Sequence, residues 1–473
     1  MSGILAGLPA EGLALAYLVA AALFIHGLRG LTHPRTAARG NRISAAGMAV
    51  AVGATVLWYD ILSPGLLAAA LLVGAAVGAW LAYTVESTDL PQLVGLFNGL
   101  GGGASALVAG AELIEATRAT GAALPADVTV AAAVTGLVGG VTFWGSLVAA
   151  AKLQGYLETP ITYRGETVVK AVLVLAAVVA GAVLVTGGLP ASWVPAYWAV
   201  VAAATLLGVL VVVPIGGADM PVVIALLNAC SGLAAAATGF VLDNSVLIIA
   251  GTLVGASGFI LTVVMCESMN RSLTAVLAGG FGGSPATGAA AEAYDAPVKS
   301  TSPAEVAMLL EVADRVVIVP GYGMAVGQAQ HAVAELAALL TDDGVEVVFG
   351  VHPVAGRMPG HMNVLLAEAN VPYDQMAELD AVNPTFPATD VVLVVGANDV
   401  VNPSAVTDPD SPIAGMPVLH VWEADTVVVN KRSLSPGYAG IPNPLFTADN
   451  TTMLFGDARE AMQALVTAYE DTR

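Results

Sequence analysis

A glycine-rich turn in the last third of the chain contains residues whose types and spacing could bind a nucleotide. The apolar, β-branched run 315–320 leads into this turn, after which a helical pattern begins. A strand, a glycine turn and a helix in this order hold the pyrophosphate of a dinucleotide, because glycines let the backbone approach the phosphates. Val326 replaces the third glycine of the usual pattern, so an ordinary strand–helix turn is an equal alternative. The candidate cofactor-binding residues of the turn are Gly321, Tyr322, Gly323, Met324, Ala325 and Val326.

Charged residues nearby indicate which dinucleotide this turn would bind. An NAD site places Asp or Glu at the end of the second strand, where the carboxylate binds the ribose 2′-hydroxyl. Here no carboxylate follows the predicted strand 345–350 until Glu368. Lys431, Arg432 and Ser433 follow another predicted strand and offer two positive charges and a hydroxyl, which suit a 2′-phosphate. A solvated pair of charges is the alternative.

Two further segments supply candidate cofactor contacts. Arg357 lies in a loop rich in proline and glycine and is a second candidate for phosphate binding. Another segment directly follows a third predicted strand, and ligands of open parallel sheets bind at the carboxyl ends of the strands. Its residues are Gly396, Ala397, Asn398 and Asp399.

The region that must position these residues alternates strand-like and helical patterns. Ser302-Pro-Ala-Glu305 has the residue types of a helix start, with serine as the N-cap and glutamate three residues later. The alternation predicts an α/β Rossmann-like domain, a doubly wound parallel sheet, over residues 301–473. We predict strands at 315–320, 345–350, 390–396, 417–422, 426–430 and 451–455, and helices at 302–313, 324–340, 361–370 and 457–471.

The chain before residue 271 has the composition of a membrane protein. The 473 residues are 57% hydrophobic and 11% charged, whereas a soluble domain carries about 25% charged residues. We predict a multi-pass α-helical bundle of about nine spans over residues 1–270. A flexible linker rich in Gly, Ala, Pro and Ser is expected over 271–300. The predicted spans are 8–28, 43–61, 64–84, 91–111, 127–150, 168–188, 193–213, 221–240 and 244–266.

The distribution of basic residues predicts how the bundle is oriented. If the chain starts outside the cell, its outside loops contain only Arg118 as a basic residue, whereas its inside loops contain eight. Positive charges favour the cytoplasmic side. We therefore expect the N-terminus outside and, after an odd number of spans, the C-terminal domain in the cytoplasm. The eight residues are Arg29, Arg35, Arg39, Arg42, Lys152, Arg164, Lys170 and Arg271.

Polar residues at membrane depth are candidates for a proton path, because burying them without partners costs free energy. Asn98 lies in the fourth predicted span and Asn228 in the eighth, with Ser231 on the same helical face as Asn228. Ser257 lies in the ninth span. Asp219 lies just before the eighth span, where helix capping is the alternative. For the others the alternative is hydrogen bonding between helices.

Composition and motifs exclude several other functions. From Arg271 onward the chain has 24 acidic and 8 basic residues, which argues against nucleic acid as a partner, since phosphate contacts need Lys and Arg. This acidity is compatible with a high-salt cytoplasm. Cys230 and Cys266 lie in apolar segments, and the sequence has no CxxC, HExxH or His/Cys cluster. We therefore expect neither a metal site nor a disulfide framework.

Several blocks of residues, taken together, form the pattern of one family. In the membrane half the block is Gly216-Gly-Ala-Asp-Met-Pro221. In the C-terminal half the blocks are Gly321-Tyr-Gly-Met-Ala-Val326 with Gln328-Ala-Gln330, the stretch from His352 to Asn363, Gly396-Ala-Asn-Asp399, and Lys431-Arg-Ser433 with Gly437-Tyr-Ala-Gly440. Over nearly the whole chain the sequence resembles the beta subunit of proton-translocating NAD(P) transhydrogenase.

The resemblance implies a cofactor and the residues that hold it. The C-terminal domain is expected to bind NADP(H), with the dinucleotide reversed relative to ordinary Rossmann enzymes. The segment Lys431–Ser433 is expected to hold the 2′-phosphate, and a loop around Gly437 and Tyr438 is expected to cover the nucleotide. In the membrane half, Asn98 and Asn228 fall at family positions linked to the proton pathway. Some relatives have His in place of Asn98, so bound water is expected to take part in proton handling there.

The resemblance also implies a reaction and a partner. Hydride passes from NADH to NADP⁺ while a proton flows inward, and no catalytic side chain is needed because the cofactors perform the chemistry. The NAD(H) site is expected on an alpha subunit with further spans, in a dimer of alpha–beta units in the plasma membrane. The alternatives are a nucleotide-gated transporter or channel and a membrane-anchored reductase. A transporter should show broken helices or an inverted repeat, and a reductase should carry a second cofactor site. Neither is clear in the sequence.

Overall fold

The computed structural model describes most of the chain. It forms a bundle of long helices up to residue 268 and an α/β domain from residue 303 onward. This architecture confirms the predicted fold class. The described residues are 10–31, 34–58, 64–120, 124–157, 161–186, 193–277, 294 and 297–473.

Nine long helices form the bundle within the described ranges, and eight of them are long and apolar enough to cross a membrane. The exception is α2, whose first turns contain Arg35, Arg39 and Arg42 and so shorten its apolar part. The predicted span ends at 8–9, 59–61 and 187–188 lie outside the described residues. The helices are α1 (Ala10–Leu31), α2 (Pro34–Trp58), α3 (Pro64–Thr84), α4 (Leu90–Thr120), α5 (Ala126–Leu153), α6 (Glu166–Thr186), α7 (Trp193–Val212), α8 (Met220–Val241) and α9 (Ser245–Ser268).

Glycines allow the backbones of α8 and α9 to touch. A Cβ atom added to Gly232 would lie 2.3 Å from the backbone nitrogen of Gly255. One added to Gly251 would lie 2.3 Å from the backbone nitrogen of Ala236. No side chain fits at either point, so glycine permits close packing where lipid provides no hydrophobic force between helices.

The C-terminal domain is a parallel sheet with helices packed on both faces. A short helix, α10 (Leu273–Leu277), precedes it. The elements of the domain are α11 (Pro303–Glu311), β1 (Arg315–Pro320), α12 (Tyr322–Val326), α13 (Gln330–Asp342), β2 (Glu346–Val351), α14 (His361–Glu368), β3 (Met376–Glu378), α15 (Leu379–Val382), β4 (Val391–Val395), α16 (Ser404–Thr407), β5 (Thr426–Lys431), β6 (Thr451–Phe455) and α17 (Ala458–Thr472).

The strand order places a switch point in the middle of the sheet. The order is β3-β2-β1-β4-β5-β6, and every pair is parallel. In register, Val317 of β1 lies opposite Val348 on one side and Val392 on the other. Because the chain runs outward in both directions from β1 and β4, the crevice between their carboxyl ends is where ligands of such folds bind.

The predicted strand 417–422 is wrong. The backbone N–H of Leu419 donates to the oxygen of Val400, and the side-chain amide of Asn383 donates to the oxygen of Val418, so the segment bonds to residues outside the strands and is not part of the sheet. Val418 and Leu419 are buried, which explains why the segment is apolar. The sixth strand is β3, whose three residues gave no strand pattern in the sequence.

The predicted helix 324–340 is also wrong as a single helix. It consists of α12 and α13, separated at Gln328, whose φ of 50° lies in the left-handed region and ends the first helix. The predicted capping box at the start of α11 is present, with Ser302 N donating to the Glu305 carboxylate at 2.9 Å. Within the predicted linker 271–300, α10 is helical, and 278–293 and 295–296 lie outside the described residues.

Loops at the carboxyl edge of the sheet face one end of the bundle. Val354 packs against the apolar cluster that includes Leu153 at the end of α5. The side-chain amide of Asn270 donates to the oxygen of Ala414 at 2.7 Å. The nucleotide-type turn of the α/β domain therefore lies close to the ends of the membrane helices.

Candidate nucleotide site and polar residues of the bundle

A cavity of about 500 Å³ lies at the carboxyl ends of β1, β4 and β5, beside the switch point of the sheet. Most residues predicted from the sequence to bind a cofactor line it. Met324 and Ala325 do not, because their side chains are buried in the core of the domain. The predicted residues that line the cavity are Gly321, Tyr322, Gly323, Val326, Arg357, Gly396, Ala397, Asn398, Asp399, Lys431, Arg432, Ser433, Gly437 and Tyr438.

The glycines of the first turn are required because two turns pack on each other. A Cβ atom on Gly321 would lie 2.4 Å from the backbone of Ala397. One on Gly323 would lie 2.6 Å from the Cα of Gly396, which itself has a φ of 70°. The glycines thus join the turns after β1 and β4, in addition to any approach to a ligand that the motif predicts.

Lys431 brings a half-buried positive charge to the cavity. Its Nζ donates to the oxygen of Ser435 at 2.8 Å and lies 5.0 Å from the centre of the Phe446 ring. Burial lowers the pKa of Lys431 to about 8, although the neighbouring Asp399 carboxylate acts in the opposite direction. Burial also raises the pKa of Asp399, which accepts a hydrogen bond from Ala439 N at 3.0 Å. An anionic ligand would stabilise this ammonium further.

Arg432 and Ser433 directly follow β5, next to Lys431, and both are exposed. The hydroxyl of Ser433 is 3.0 Å from that of Ser435, which orders the start of the following loop. A planar guanidinium, an ammonium and a hydroxyl therefore converge at one edge of the cavity. These are the donors that bind phosphate oxygens in proteins.

Aromatic and cationic side chains close the cavity on the side of the bundle. The rings of Tyr322 and Tyr438 have their centres 6.2 Å apart. The guanidinium carbon of Arg357 lies 4.5 Å from the centre of the Tyr322 ring. Burial raises the pKa of Tyr322 to about 12, so its phenol stays neutral. On the bundle side, a Cβ atom on Gly217 would lie 3.7 Å from Tyr438.

Two histidines hold the loop that carries Arg357. His352 Nδ1 accepts from Val354 N at 3.2 Å, and His352 Nε2 lies 2.7 Å from the oxygen of Pro417. His361 Nδ1 accepts from Arg357 N at 3.1 Å. Burial lowers the pKa of both histidines to about 4, so near neutral pH both are uncharged and keep an acceptor nitrogen.

Sequence reasoning missed several residues of the cavity wall. Asn430 lies near the end of β5, and its side-chain amide donates to the oxygen of Leu454 at 3.0 Å. Asp457 follows β6 and caps α17 by accepting from Arg459 N at 3.0 Å. The signal was available, because the last residues of every parallel strand meet at the same edge of the sheet. The missed residues are Gly327, Val354, Ala355, Gly356, Val400, Asn430, Ser435, Pro436, Gly456, Asp457 and Ala458.

In the bundle, α4 and α8 bring three of the predicted proton-path residues onto one helix pair. Asn98 is buried on α4, and its amide lies 3.4 Å from the oxygen of Ile224 on α8. Asn228 is half-buried one turn further along α8. A Cβ atom on Gly101 of α4 would lie 2.7 Å from the hydroxyl of Ser231. The contact of Asn98 is a hydrogen bond between helices, the alternative that the sequence left open.

Ser257 lies apart from this pair. It is exposed on α9, and its hydroxyl donates to the oxygen of Val254 on the same helix at 3.0 Å. Because Ser257 is on the outside of the described helices, the structure does not bring it together with Asn98 and Asn228.

Asp219 forms a buried ion pair at the start of α8. Its Oδ1 lies 3.3 Å from Nη1 of Arg271, which follows α9. Its side chain does not cap α8, so capping does not explain its position. Burial raises the pKa of Asp219 to about 6, whereas Arg271 acts in the opposite direction. The pair links α8 to the segment that leads into the α/β domain.

Comparison with known proteins identifies the family. A family model described as "NAD(P) transhydrogenase beta subunit" matches residues 13–468. Two proteins named "NAD(P) transhydrogenase subunit beta", both from Rhodospirillum rubrum and one assigned to a particular strain, are each 48% identical to this chain over 458 residues. The match covers 96% of this chain and 98% of each relative. The chain therefore belongs to the NAD(P) transhydrogenase beta subunit family.

Proposed function

We propose that this chain supplies the NADP(H) site and much of the proton path of a proton-pumping transhydrogenase. In the proposed reaction, NADH and NADP⁺ give NAD⁺ and NADPH, driven by inward proton flow. The observation that carries the proposal is the convergence of Lys431, Arg432 and Ser433 at the edge of the cavity at the sheet's switch point. No carboxylate directly follows β2, where an NAD site would need one.

The residues around the cavity suit NADP(H). When bound, the nicotinamide carries the hydride, so the protein's task is to bind and orient the nucleotide and to exclude water. Lys431, which is half-buried, and Arg432 would hold the 2′-phosphate, and Arg357 would bind a further phosphate. Tyr322 and Tyr438 would shield the nucleotide on the side of the bundle.

In the bundle we assign proton transfer to polar side chains that hold water. Asn98, Asn228 and Ser231 lie along the α4–α8 pair. Ser257, exposed on α9, would join such a path only where a partner's helix covers it. Protonation near the asparagines would displace α8 and with it Asp219, changing the ion pair that lies next to the nucleotide domain.

The proposal divides the chain into a proton-translocating domain (1–270), a linker (271–300) and an NADP(H)-binding domain (301–473). Its partner would be an alpha subunit with the NAD(H) site and further spans, in a dimer of alpha–beta units. The positive-inside pattern supports a topology with the N-terminus outside the plasma membrane and the NADP(H) domain in the cytoplasm.

Nucleotide binding to the chain in complex with its alpha subunit tests the proposal. With NADH present to fill the partner's site, NADPH should bind this chain tightly. Arg432→Gln should weaken NADPH binding about 10- to 100-fold, because a charge-assisted contact to the phosphate is lost. The matched control is Arg473→Gln, which removes a charge paired with Asp343 away from the cavity. An affinity for NADPH that Arg432→Gln leaves unchanged would contradict the assignment.

A further inference from the structure

Arg357 contacts both halves of the molecule. Its Nη1 donates to the backbone oxygen of Leu153, the last residue of α5, at 2.5 Å. Its guanidinium also packs on the ring of Tyr322, and the residue lines the cavity. The side chain of Arg357 therefore bonds to the membrane bundle and also lies at the proposed nucleotide site.

The end of α5 is a favourable place for a cation. The last carbonyls of a helix have no partners within the helix, and the helix dipole is negative there. The side-chain amide of Gln92 on α4 donates to the same Leu153 oxygen at 3.4 Å and to a carboxylate oxygen of Asp89 at 3.0 Å. These oxygens make the bundle side of the contact electronegative, and Arg357 supplies the matching positive charge.

A phosphate in the cavity would compete for the same guanidinium. Arginine grips a phosphate with two parallel N–H groups, and the end of its fork includes Nη1. In the present arrangement Nη1 points at Leu153 and one face of the group lies on Tyr322. Because His361 fixes the backbone of Arg357, the side chain would have to turn to reach a ligand.

We propose that Arg357 is exchanged between α5 and the nucleotide. Docking here means contact of the α/β domain with the end of the bundle. When the domain is docked, the guanidinium stays on the Leu153 oxygen, whereas bound NADP(H) draws it into the cavity. Docking and nucleotide binding therefore weaken each other. The inference rests on the proposed NADP(H) site. Because coupling between two equilibria is reciprocal, docking weakens NADP(H) binding by the same factor as NADP(H) weakens docking, so a change that loosens docking should tighten NADP(H) binding.

A second contact lets docking be loosened without altering the cavity. The side-chain amide of Gln328 donates to the carboxylate of Glu86, which is exposed just before α4. The oxygen of the same amide accepts from Arg459 Nη2 at 3.3 Å. Neither Glu86 nor Gln328 lines the cavity. Removing the Glu86 carboxylate should therefore affect nucleotide binding only through docking.

The test measures NADPH affinity in the complex with the alpha subunit, with NADH present to occupy the partner's site. Glu86→Ala should tighten NADPH binding about fivefold, as expected for the loss of one interface hydrogen bond. Arg357→Gln should weaken it. The double variant should bind NADPH no more tightly than Arg357→Gln alone, because the gain acts through Arg357. Glu115→Ala, an exposed carboxylate at the far end of α4, is the matched control and should change nothing.

The outcomes separate this inference from the function on which it rests. If Glu86→Ala leaves NADPH affinity unchanged or weakens it, or if the gain persists in the double variant, the exchange of Arg357 is wrong. Arg357→Lys tests whether the site still folds without arginine. Because the lysine ammonium keeps a donor, adding Glu86→Ala to Arg357→Lys should still tighten NADPH binding, by part of the gain seen with Arg357. If the unmodified complex does not bind NADPH in preference to NADH at this chain's site, the NADP(H) assignment fails and the exchange fails with it.

Discussion

At Lys431, burial and a phosphate bound as proposed would act on the same ammonium group in opposite directions. Burial lowers the pKa of Lys431 to about 8, because the charged form loses hydration. A phosphate beside it would favour the charged form and raise that pKa again. Linkage then requires nucleotide binding to take up a proton at pH values above about 8.

NADPH affinity should therefore depend on pH through Lys431. Between pH 7 and 8 the affinity should be nearly constant, and from pH 8 to 9.5 it should fall by up to about tenfold per unit as the ammonium deprotonates. Lys431→Arg should bind NADPH with a flat profile over this range, because a guanidinium stays charged. Titration of the purified complex with NADPH at each pH provides the measurement. A flat profile for the unmodified complex would contradict the combination of a lowered pKa and a phosphate contact at Lys431.

The lowered pKa of His352 should make the stability of the α/β domain depend on pH. Burial lowers the pKa of His352 to about 4 from an ordinary value of 6.5, so as the pH falls the unfolded chain is protonated first. Its contribution is therefore complete above pH 6.5 and is lost as the pH falls to 4, by up to about 3 kcal/mol. His352→Gln should flatten this decline in thermal unfolding of the purified chain. His331→Gln, which replaces an exposed histidine, is the control and should leave the decline unchanged.

At the scale of elements, the contact between the turns after β1 and β4 forms the floor of the cavity. Gly396 has a φ of 70°, and a Cβ atom there would lie 2.4 Å from the Cα of Gly323. Gly440 has nearly the same backbone, with a φ of 69°, but no atom lies within 4 Å of its added Cβ. Comparing alanine substitutions at these two glycines therefore distinguishes the cost of backbone strain, which both share, from the cost of overlap between the turns, which arises only at Gly396.

Gly396→Ala should therefore cost more than Gly440→Ala. Backbone strain alone costs about 1–2 kcal/mol at either position, and overlap with a neighbouring backbone adds about 1–3 kcal/mol at Gly396. Thermal unfolding of the complex should show the larger loss for Gly396→Ala, together with weaker NADPH binding. Equal losses of stability in the two variants would mean that the turns after β1 and β4 can move apart at no cost in free energy.

The strands that the sequence predicted correctly share one physical property. Segments such as 315–320 and 391–395 are short, β-branched runs buried on both faces of the sheet, and their composition reports that burial directly. The same apolar composition led to the wrong prediction of a strand at 417–422, whose Val418 and Leu419 are buried because they pack on a face of the sheet. The three-residue strand β3 is held by its pairing with β2, which no local pattern reports.

The candidate site was predictable to the extent that it follows strand ends. The turn at Gly321, the segment at Gly396 and the pair at Lys431 all come directly after strands, and parallel pairing brings them to one cavity. Contacts made across the chain were not predictable. The link from Arg357 to α5 and the exposure of Ser257 depend on how whole helices pack, and helical periodicity does not say which neighbour each face meets.

At the scale of the whole molecule, α8 connects the candidate proton path to the α/β domain. Near its start, α8 accepts the hydrogen bond from Asn98, and it carries Asn228 one turn later. Its first residue follows Asp219, which pairs with Arg271 on the way to the α/β domain. A rigid helix that joins these points can transmit a displacement from the membrane to the domain.

The membrane must supply the driving force of the proposed reaction, because the two nicotinamides have nearly the same intrinsic potential. One charge crossing about 150 mV is worth about 3.5 kcal/mol, a few hundredfold in the nucleotide ratio. This free energy reaches the nucleotides only if proton transfer and NADP(H) affinity are coupled through the bundle.

Asn228→Leu should therefore impair proton uptake and NADP(H) release together. In vesicles containing the chain and its alpha subunit, NADPH-driven reduction of an NAD⁺ analogue should acidify or alkalise the lumen according to the orientation of the protein. The variant should slow both the reduction and the pH change about tenfold or more, because an apolar side chain cannot hold water in the path. Thr135→Val, which removes a hydroxyl bonded within α5, is the matched control and should keep both rates. If Asn228→Leu leaves proton uptake and NADP(H) release unchanged, α8 does not couple them.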